Sequence, residues 1–459
     1  MKKIVLTSVL LLSLATLTMA AQKKSRFEKL ELFNKILYLI ESQYYREVDT
    51  GKLIEGAIKG MMETLDPHSA YLNAELFQKV EEDTSGEFGG LGIEVTHRDG
   101  ILHVITPIED TPAYKAGVKA KDKIVEINHE STVGMTLEDA VKKMQGPEGS
   151  KVHMGIKREG KDGIINFEIA RAKIKIKAVK AQVVRDNFAY IRLTHFQKDS
   201  TESIVKALQD MNSKTKIKGI VLDLRANPGG LLDQAVDVSS IFLKDGIVVS
   251  TEARDITKKD IRYVKKMGYK DLETPLVVLI NGTSASASEI VAGALQDYKR
   301  AIIMGTQSFG KGSVQTVAKI DEENGVKLTI AQYMTPTGRK IQAVGIRPDV
   351  ELFDIDSEVV EDSKHAAEYI REKDLKNHLT ATIETEEEKK IRLAQESEER
   401  KSRIERVRKK KLAKSKGKKE EKEEDIFKKY EPADDFQVIQ AINYLNTFKV
   451  FKEFIKGNG

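Results

Sequence analysis

Along residues 276–315 the apolar positions come in short runs parted by small and polar residues. Leu276–Ile280 is an unbroken apolar run, the pattern of a strand covered on both faces. Asn281-Gly282 breaks it, and a helical pattern runs from about Ala287 to Tyr298. Ala301–Met304 is a second short apolar run, and Gly305–Gly312 is a glycine-punctuated loop that carries Lys311. The same rhythm fills the stretch before it. Residues 187–196 alternate as a strand, 200–211 form an amphipathic helix with a Ser/Thr start, and Ile220–Leu224 runs through the turn NPGG into a helix at 231–243. Strands alternating with helices imply βαβ units and a largely parallel sheet, whose sites lie beyond the carboxyl ends of the strands. Leu328–Gln342 reads as strand, turn and strand, with Pro336-Thr337-Gly338 as the turn.

Upstream the pattern changes twice. From Phe27 to Val80 it is helical, with Phe27, Leu30, Phe33, Ile36, Leu37 and Ile40 near one face and a break at Leu65–Ser69. His68 beside Asp66 in that break reads as turn chemistry. From Ser85 to about Ala170 a glycine-rich opening, GEFGGLGIEV, leads into short strands, two short helices and a closing hairpin. Beyond the core, Glu386–Glu424 is dominated by Glu, Lys and Arg and cannot bury enough apolar surface to form a globule. It suits a long solvated helix or, less well, a basic patch for anionic lipid. Phe436–Phe454 returns to an amphipathic helical pattern.

The chain has 459 residues, 40% apolar and 32% charged, with a net charge of +5, which allows two or three domains and argues against a dedicated nucleic-acid binder. Met1–Ala20 has the form of a secretory signal: Lys2 and Lys3, an apolar stretch, then a small residue suited to cleavage. A retained membrane anchor is the alternative. There is no cysteine, so neither a disulfide framework nor a lipidated N-terminal cysteine is available. Export without disulfides fits a bacterial periplasm.

Three serines, Ser284, Ser286 and Ser288, crowd the strand-to-helix turn. Glu289 follows Ser286 at capping-box spacing, so Ser286 reads either as a cap or as a nucleophile at a helix N-terminus. No histidine lies nearby in sequence and no G-x-S-x-G elbow occurs. The nearest base is Lys311, which works only if desolvation or neighbouring cations keep it neutral. GTQSFGKG nearly spells a phosphate loop, but Gly312 stands where a Ser or Thr would hold Mg²⁺, and a strand pattern follows. Asp223 and Arg225 read as an ion pair holding the glycine turn. His103, His129 and His153 fall at unrelated spacing and read as surface or satisfied core residues, so no metal set and no cofactor is expected.

NGTSASASEIVAGALQD followed by GTQSFGKGSVQ resembles the carboxyl-terminal processing peptidases, periplasmic and thylakoid-lumen serine proteases of the tail-specific type. The resemblance runs through most of the chain. It implies a Ser–Lys dyad of Ser286 and Lys311 with Gln315 as the supporting residue. It implies an oxyanion hole in the glycine turn, at Gly229 with Gly230 as the alternative, completed by Ala287. It implies an α/β and α+β multidomain fold: a crotonase/ClpP-like βαβ protease core with an inserted PDZ domain and helical N- and C-terminal regions. The expected division is a signal peptide at 1–20, a helical region at 22–84, the PDZ domain at 85–171, the protease core at 172–352 and a charged, helix-ended segment at 353–459. The PDZ resemblance places carboxylate capture at Gly89, Gly90, Leu91 and Gly92, with Ile93 and Val95 on a strand that accepts a peptide by β-addition. The implied activity is endopeptidase cleavage of exported proteins with apolar C-termini, in the periplasm, with inner-membrane association as the alternative. The implied partners are a second copy through the terminal helices and a lipoprotein adaptor. The rival readings are an inactive PDZ adaptor and crotonase-like chemistry on thioesters.

Overall fold

The computed structural model describes residues 25–353 apart from 99, 256, 258 and 323; 370–381 apart from 376; 385, 388–392 and 394; and 430–457. The signal-like segment and most of the charged segment 386–424 lie outside the described residues. The chain forms two units, 1–65 and 66–459. In the first, helix Arg26–Gln43 starts at Ser25 and helix Thr50–Glu63 at Asp49, each side chain accepting a backbone N–H three residues on. No residue of either helix is buried. The helical pattern read from Phe27 to Val80 resumes after its break in helix Ala74–Ser85, capped by Asn73. Residues 66–84, expected with that region, belong to the larger unit instead, and Ala70–Leu72 pairs there with strand Gly325–Met334.

The centre of the larger unit is a six-stranded sheet in the order Val179–Val184, Phe188–Leu193, Gly219–Asp223, Leu276–Ile280, Ile302–Gly305, Val350–Glu351. The first pair is antiparallel and every later pair parallel. Gly219–Asp223 and Leu276–Ile280 are buried at every position, because both faces are covered. Alternate side chains go to opposite faces. Ile220, Leu222, Val278 and Ile280 pack in one cluster with Ile204 and Leu208 of helix Ser200–Lys214, Val238 of helix Leu232–Phe242 and Ile290 of helix Ala287–Asp297. Val221, Val277, Leu279 and Met304 pack with Val438, Ala441, Ile442 and Leu445 of the closing helix Phe436–Gly457. That helix covers its own sheet through these residues; the family resemblance implied dimer contacts for it.

A second sheet joins Ile247–Ala253, Lys259–Tyr263, Ser313–Lys319, Gly325–Met334 and Ala70–Leu72. Gly325–Met334 is followed by a hydrogen-bonded turn at Thr335–Gly338 and a single bridge from Met334 to Lys340, not a second full strand. Two strands, Glu87–Gly90 and Ala172–Lys175, pair as a neck. Between them in sequence stands a separate domain with its own core of Leu102, Val104, Ile124, Val152, Met154 and Ile156. Its sheet runs Ile93–Arg98, Ile101–Pro107, Lys123–Ile127, Lys151–Lys157, Ile165–Ala170, so Ile93–Arg98 is an edge strand. No helix among the described residues is long and apolar enough to cross a membrane.

Candidate active site

Two turns leave the carboxyl ends of adjacent parallel strands, Gly219–Asp223 and Leu276–Ile280, and are sewn together by buried hydrogen bonds. Ser284 Oγ donates to the Leu224 carbonyl at 2.8 Å, and Ser288 Oγ to the Asn227 carbonyl at 3.0 Å. The Ala285 N–H donates to the same Asn227 carbonyl, and Asn227 Nδ2 anchors to the Leu193 carbonyl. Ser284 and Ser288 are fully buried. Ser286 differs from both. It is only half-buried, and its side chain makes no cap hydrogen bond. Its backbone sits at φ 54, ψ −112, a strained setting for a residue with a Cβ. A sharp, strained strand-to-helix turn is how a nucleophilic serine is thrust out of a sheet. Ser286 stands on a turn of that kind, without the glycine-flanked motif.

Half of the expected capping box forms: the Glu289 carboxylate accepts the Ser286 N–H at 2.8 Å. The same Oε2 accepts the Lys311 N–H at 2.9 Å, while Oε1 accepts the Gly310 N–H at 2.7 Å and Ser308 Oγ at 2.5 Å. Glu289 is fully buried, and burial pushes its pKa up to about 7, against the pull of these donors. One carboxylate thus fixes the backbones of the serine and the lysine to each other. Sequence reasoning had Glu289 only as a cap.

Lys311 is half-buried, and its pKa is lowered by burial first and by the nearby Lys327 ammonium second. Both act against the carboxylates of Glu372, Glu289 and Asp66, which raise it. Lys327 was not foreseen. It lies on Gly325–Met334, the strand paired with the one that follows Lys311. Among the described residues the Lys311 side chain forms no hydrogen bond with Ser286. Unliganded sites are often looser than reacting ones. Gln315 gives its amide to Ser313 Oγ at 2.8 Å and Thr329 Oγ1 at 3.3 Å, and the orienting contact to Lys311 is not formed.

The residues expected to supply oxyanion donors lie beside Ser286. The Ala287 N–H, at the free end of its helix, makes no backbone hydrogen bond among the described residues. Gly229 is pressed against the serine: a Cβ there would lie 2.8 Å from Ser286 Cβ. Its φ is +109, which favours glycine. Its N–H, however, is held by Asn227 Oδ1 at 2.9 Å, whereas that of Gly230 takes no part in the bridge to Phe196.

Asp223 and Arg225 form the ion pair read from sequence, and more. Arg225 Nε donates to Asp223 Oδ1 at 2.9 Å and Nη2 to Oδ2 at 2.7 Å. Arg225 also reaches Asp435, Gln437 and the Tyr430 hydroxyl, fastening the glycine turn to the start of the closing helix. Asp66 accepts the N–H groups of His68 and Ser69, the turn chemistry expected, and also Thr329 Oγ1. The His68 ring bonds Glu372 at 2.7 Å.

In the separate domain a groove lies between edge strand Ile93–Arg98 and helix Leu137–Met144. It is lined by Phe88, Gly90, Leu91, Gly92, Ile93, Val95, Val141, Met144 and Gln145. Gly89, also expected there, instead packs against Gly146, whose carbonyl oxygen would sit 2.1 Å from an added Cβ. Of the histidines, His129 is exposed and its ring stacks on that of His153 at 3.9 Å, a contact the sequence reading did not foresee.

Residues 187–352 match the model of Peptidase family S41, 103–158 that of the PDZ domain, and 11–76 that of the activating protease CtpB N-terminal domain. A carboxy-terminal-processing protease of Bartonella bacilliformis is 48% identical over 332 residues, 72% of this chain and 76% of the relative. The carboxy-terminal processing protease CtpA of Bacillus subtilis is 36% identical over 334 residues, 72% and 70% of the two chains. Among solved structures, a photosystem II D1 C-terminal processing protease is 31% identical with a TM-score of 0.42, covering 70% of this chain and 92% of that one.

Proposed function

Because the chain belongs to peptidase family S41, among the carboxy-terminal processing proteases, we propose that it cuts exported proteins recognised by their C-terminal ends, with Ser286 as nucleophile and Lys311 as base. It is a serine protease that carries a PDZ domain, a module that binds peptides and proteins. The observation that carries the proposal is the sorting of three serines in one turn: two are buried and bonded to carbonyls, and the hydroxyl of Ser286 alone is held out on a strained backbone.

Neutral Lys311 Nζ takes the proton of Ser286 Oγ as Oγ attacks the scissile carbonyl carbon. The Ala287 N–H and the glycine turn stabilise the oxyanion, through Gly229 once Asn227 releases it or through Gly230 as it stands. Lys311 then gives the proton to the departing amine and accepts one from the water that hydrolyses the acyl-enzyme. Gln315 steadies the strand after Lys311 through Ser313 and Thr329. The groove takes an apolar C-terminus as an added strand on Ile93–Arg98, with Val141 and Met144 beneath its last side chain. The leader-like residues 1–20 send the enzyme to the periplasm. The apolar side chains of Arg26–Gln43 left exposed, Phe27, Leu30 and Phe33 among them, supply a homodimer contact or an adaptor's seat.

Hydrolysis of a fluorogenic peptide ending in an apolar residue tests the dyad. Activity should climb with pH through the lowered pKa of Lys311, and both Lys311→Ala and Lys311→Arg should lose it by about 10³-fold or more. Near-normal rates in either variant sink the assignment. An inactive peptide-binding adaptor would show no turnover in the parent chain.

A further inference from the structure

We propose that Glu126, His129 and His153 form a three-ligand site for a divalent transition metal of the Zn²⁺ class on the PDZ domain, away from the proteolytic centre. A nitrogen from each imidazole and a carboxylate oxygen all lie within 4.8 Å of one another. Two imidazoles and a carboxylate, with one position left open, is a donor set that zinc accepts. Zn–N bonds of about 2.0–2.1 Å put tetrahedral donors roughly 3.4 Å apart, so the widest pair must close by little more than an ångström and the His129 ring must turn out of its stack on His153, because an imidazole donates in its own plane. His129 is exposed and free to make that movement.

The donors come from three places that the fold clamps together. Glu126 lies on strand Lys123–Ile127, His153 on the paired strand Lys151–Lys157, and His129 on the turn after the first of these. Asn128 ties this turn to His153 twice. Its N–H donates to the His153 carbonyl at 2.8 Å, and its Oδ1 accepts the His153 N–H at 3.2 Å. Asn128 and His129 both adopt positive φ, 51 and 63, so the turn bends back over the strand. The two rings stack with 21° between their planes.

Two further observations point to an occupant. His153 Nδ1 is buried with no hydrogen-bond partner. A buried polar nitrogen without a partner is costly, and a metal ion would satisfy it. Gly155, two residues from His153 on the same strand face, makes room for the carboxylate: a Cβ there would lie 2.9 Å from Glu126 Cβ and 3.2 Å from Glu126 Oε2. The site also reaches the peptide groove. Glu130, next to His129, pairs with Lys143 at 2.9 Å, and Lys143 precedes Met144 in the groove wall. A metal that fixes the turn therefore braces the helix against which a peptide lies.

The test is titration of the untagged, metal-stripped full chain with Zn²⁺ by calorimetry, and with Co²⁺ by its visible absorption. The parent chain should saturate at one equivalent and give the intense bands of tetrahedral Co²⁺. His129→Ala, an exposed substitution, should weaken binding at least about tenfold, as should His153→Ala. Gly155→Ala should weaken it by displacing Glu126, and circular dichroism checks that each variant is folded. Absence of saturable binding in the parent, or binding that His129→Ala leaves unchanged, overturns the proposal. Peptidase activity is not the readout, so loss of the dyad assignment would leave this result standing.

Discussion

Ser284, Ser286 and Ser288 are one residue type in one turn, and the carbonyls around them decide their tasks. The same holds for Glu289. Its neighbours in sequence make it a helix-cap partner, but its four donors come from the serine turn and the lysine loop together. Replacing it by Gln keeps the size and turns an NH₂ group toward N–H donors. Glu289→Gln should lower kcat on a peptide substrate by about 10²-fold or more, since small displacements of reacting groups cost that much. It should also change the pH dependence of stability. The folded-state pKa of Glu289 is raised, to about 7 from 4.5, so its contribution is full below about 4.5 and is lost as pH rises to about 7. That loss is on the order of 3 kcal/mol, and chemical denaturation across this window should show the slope in the parent and not in the variant. Glu289 was legible only as a letter in a capping box. Its other partners, Ser308 and Gly310, are some twenty residues on and meet it only when the next parallel strand is in place. Lys327 was hidden too: it is paired opposite Val317, and nothing in its sequence position shows that its charge would act on Lys311.

The elements of the core were the easiest part to read. Strands buried on both faces are continuous apolar runs, so Ile220–Leu224 and Leu276–Ile280 announce themselves and the helices between them follow. Which face each element covers was not legible. The stripe of Val438, Ala441, Ile442 and Leu445 shows that the closing helix needs an apolar partner, but it does not say whose. The structure answers through Arg225, which bonds both Asp223 at the sheet and Asp435 at the helix start. Asp435 also caps that helix by accepting the Val438 N–H at 3.0 Å. Arg225→Ala leaves fully buried Asp223 with only the more distant Arg192, at 3.9 Å, as a cation, and unfolding by denaturant should show a loss of about 3–5 kcal/mol. A loss of only a few tenths would mean that the helix is fastened by packing alone. Peptidase activity should fall further than stability accounts for, because the same arginine holds the glycine turn beside Ser286.

Across the whole molecule, the PDZ domain and the peptidase core have separate hydrophobic clusters, so the recognition and cutting proposed above fall in different domains. The PDZ boundary strands were visible as glycine-rich and alternating runs. The meeting of His129 with His153 was not, because sheet pairing alone joins residues so spaced. Separate domains make a kinetic signature possible. Val141→Lys puts a charge into the apolar groove and should raise KM for peptides with apolar C-termini by about tenfold, while the reaction of Ser286 with a small reagent stays unchanged. Equal KM values would remove the groove from substrate binding. The core assignment is open to a direct check that needs no substrate. A serine-directed phosphonate, with its adduct located by mass spectrometry, should modify Ser286 alone, faster as pH rises, and should fail with Lys311→Ala. An adduct on Ser284 or Ser288, or undiminished labelling of Lys311→Ala, would contradict the account.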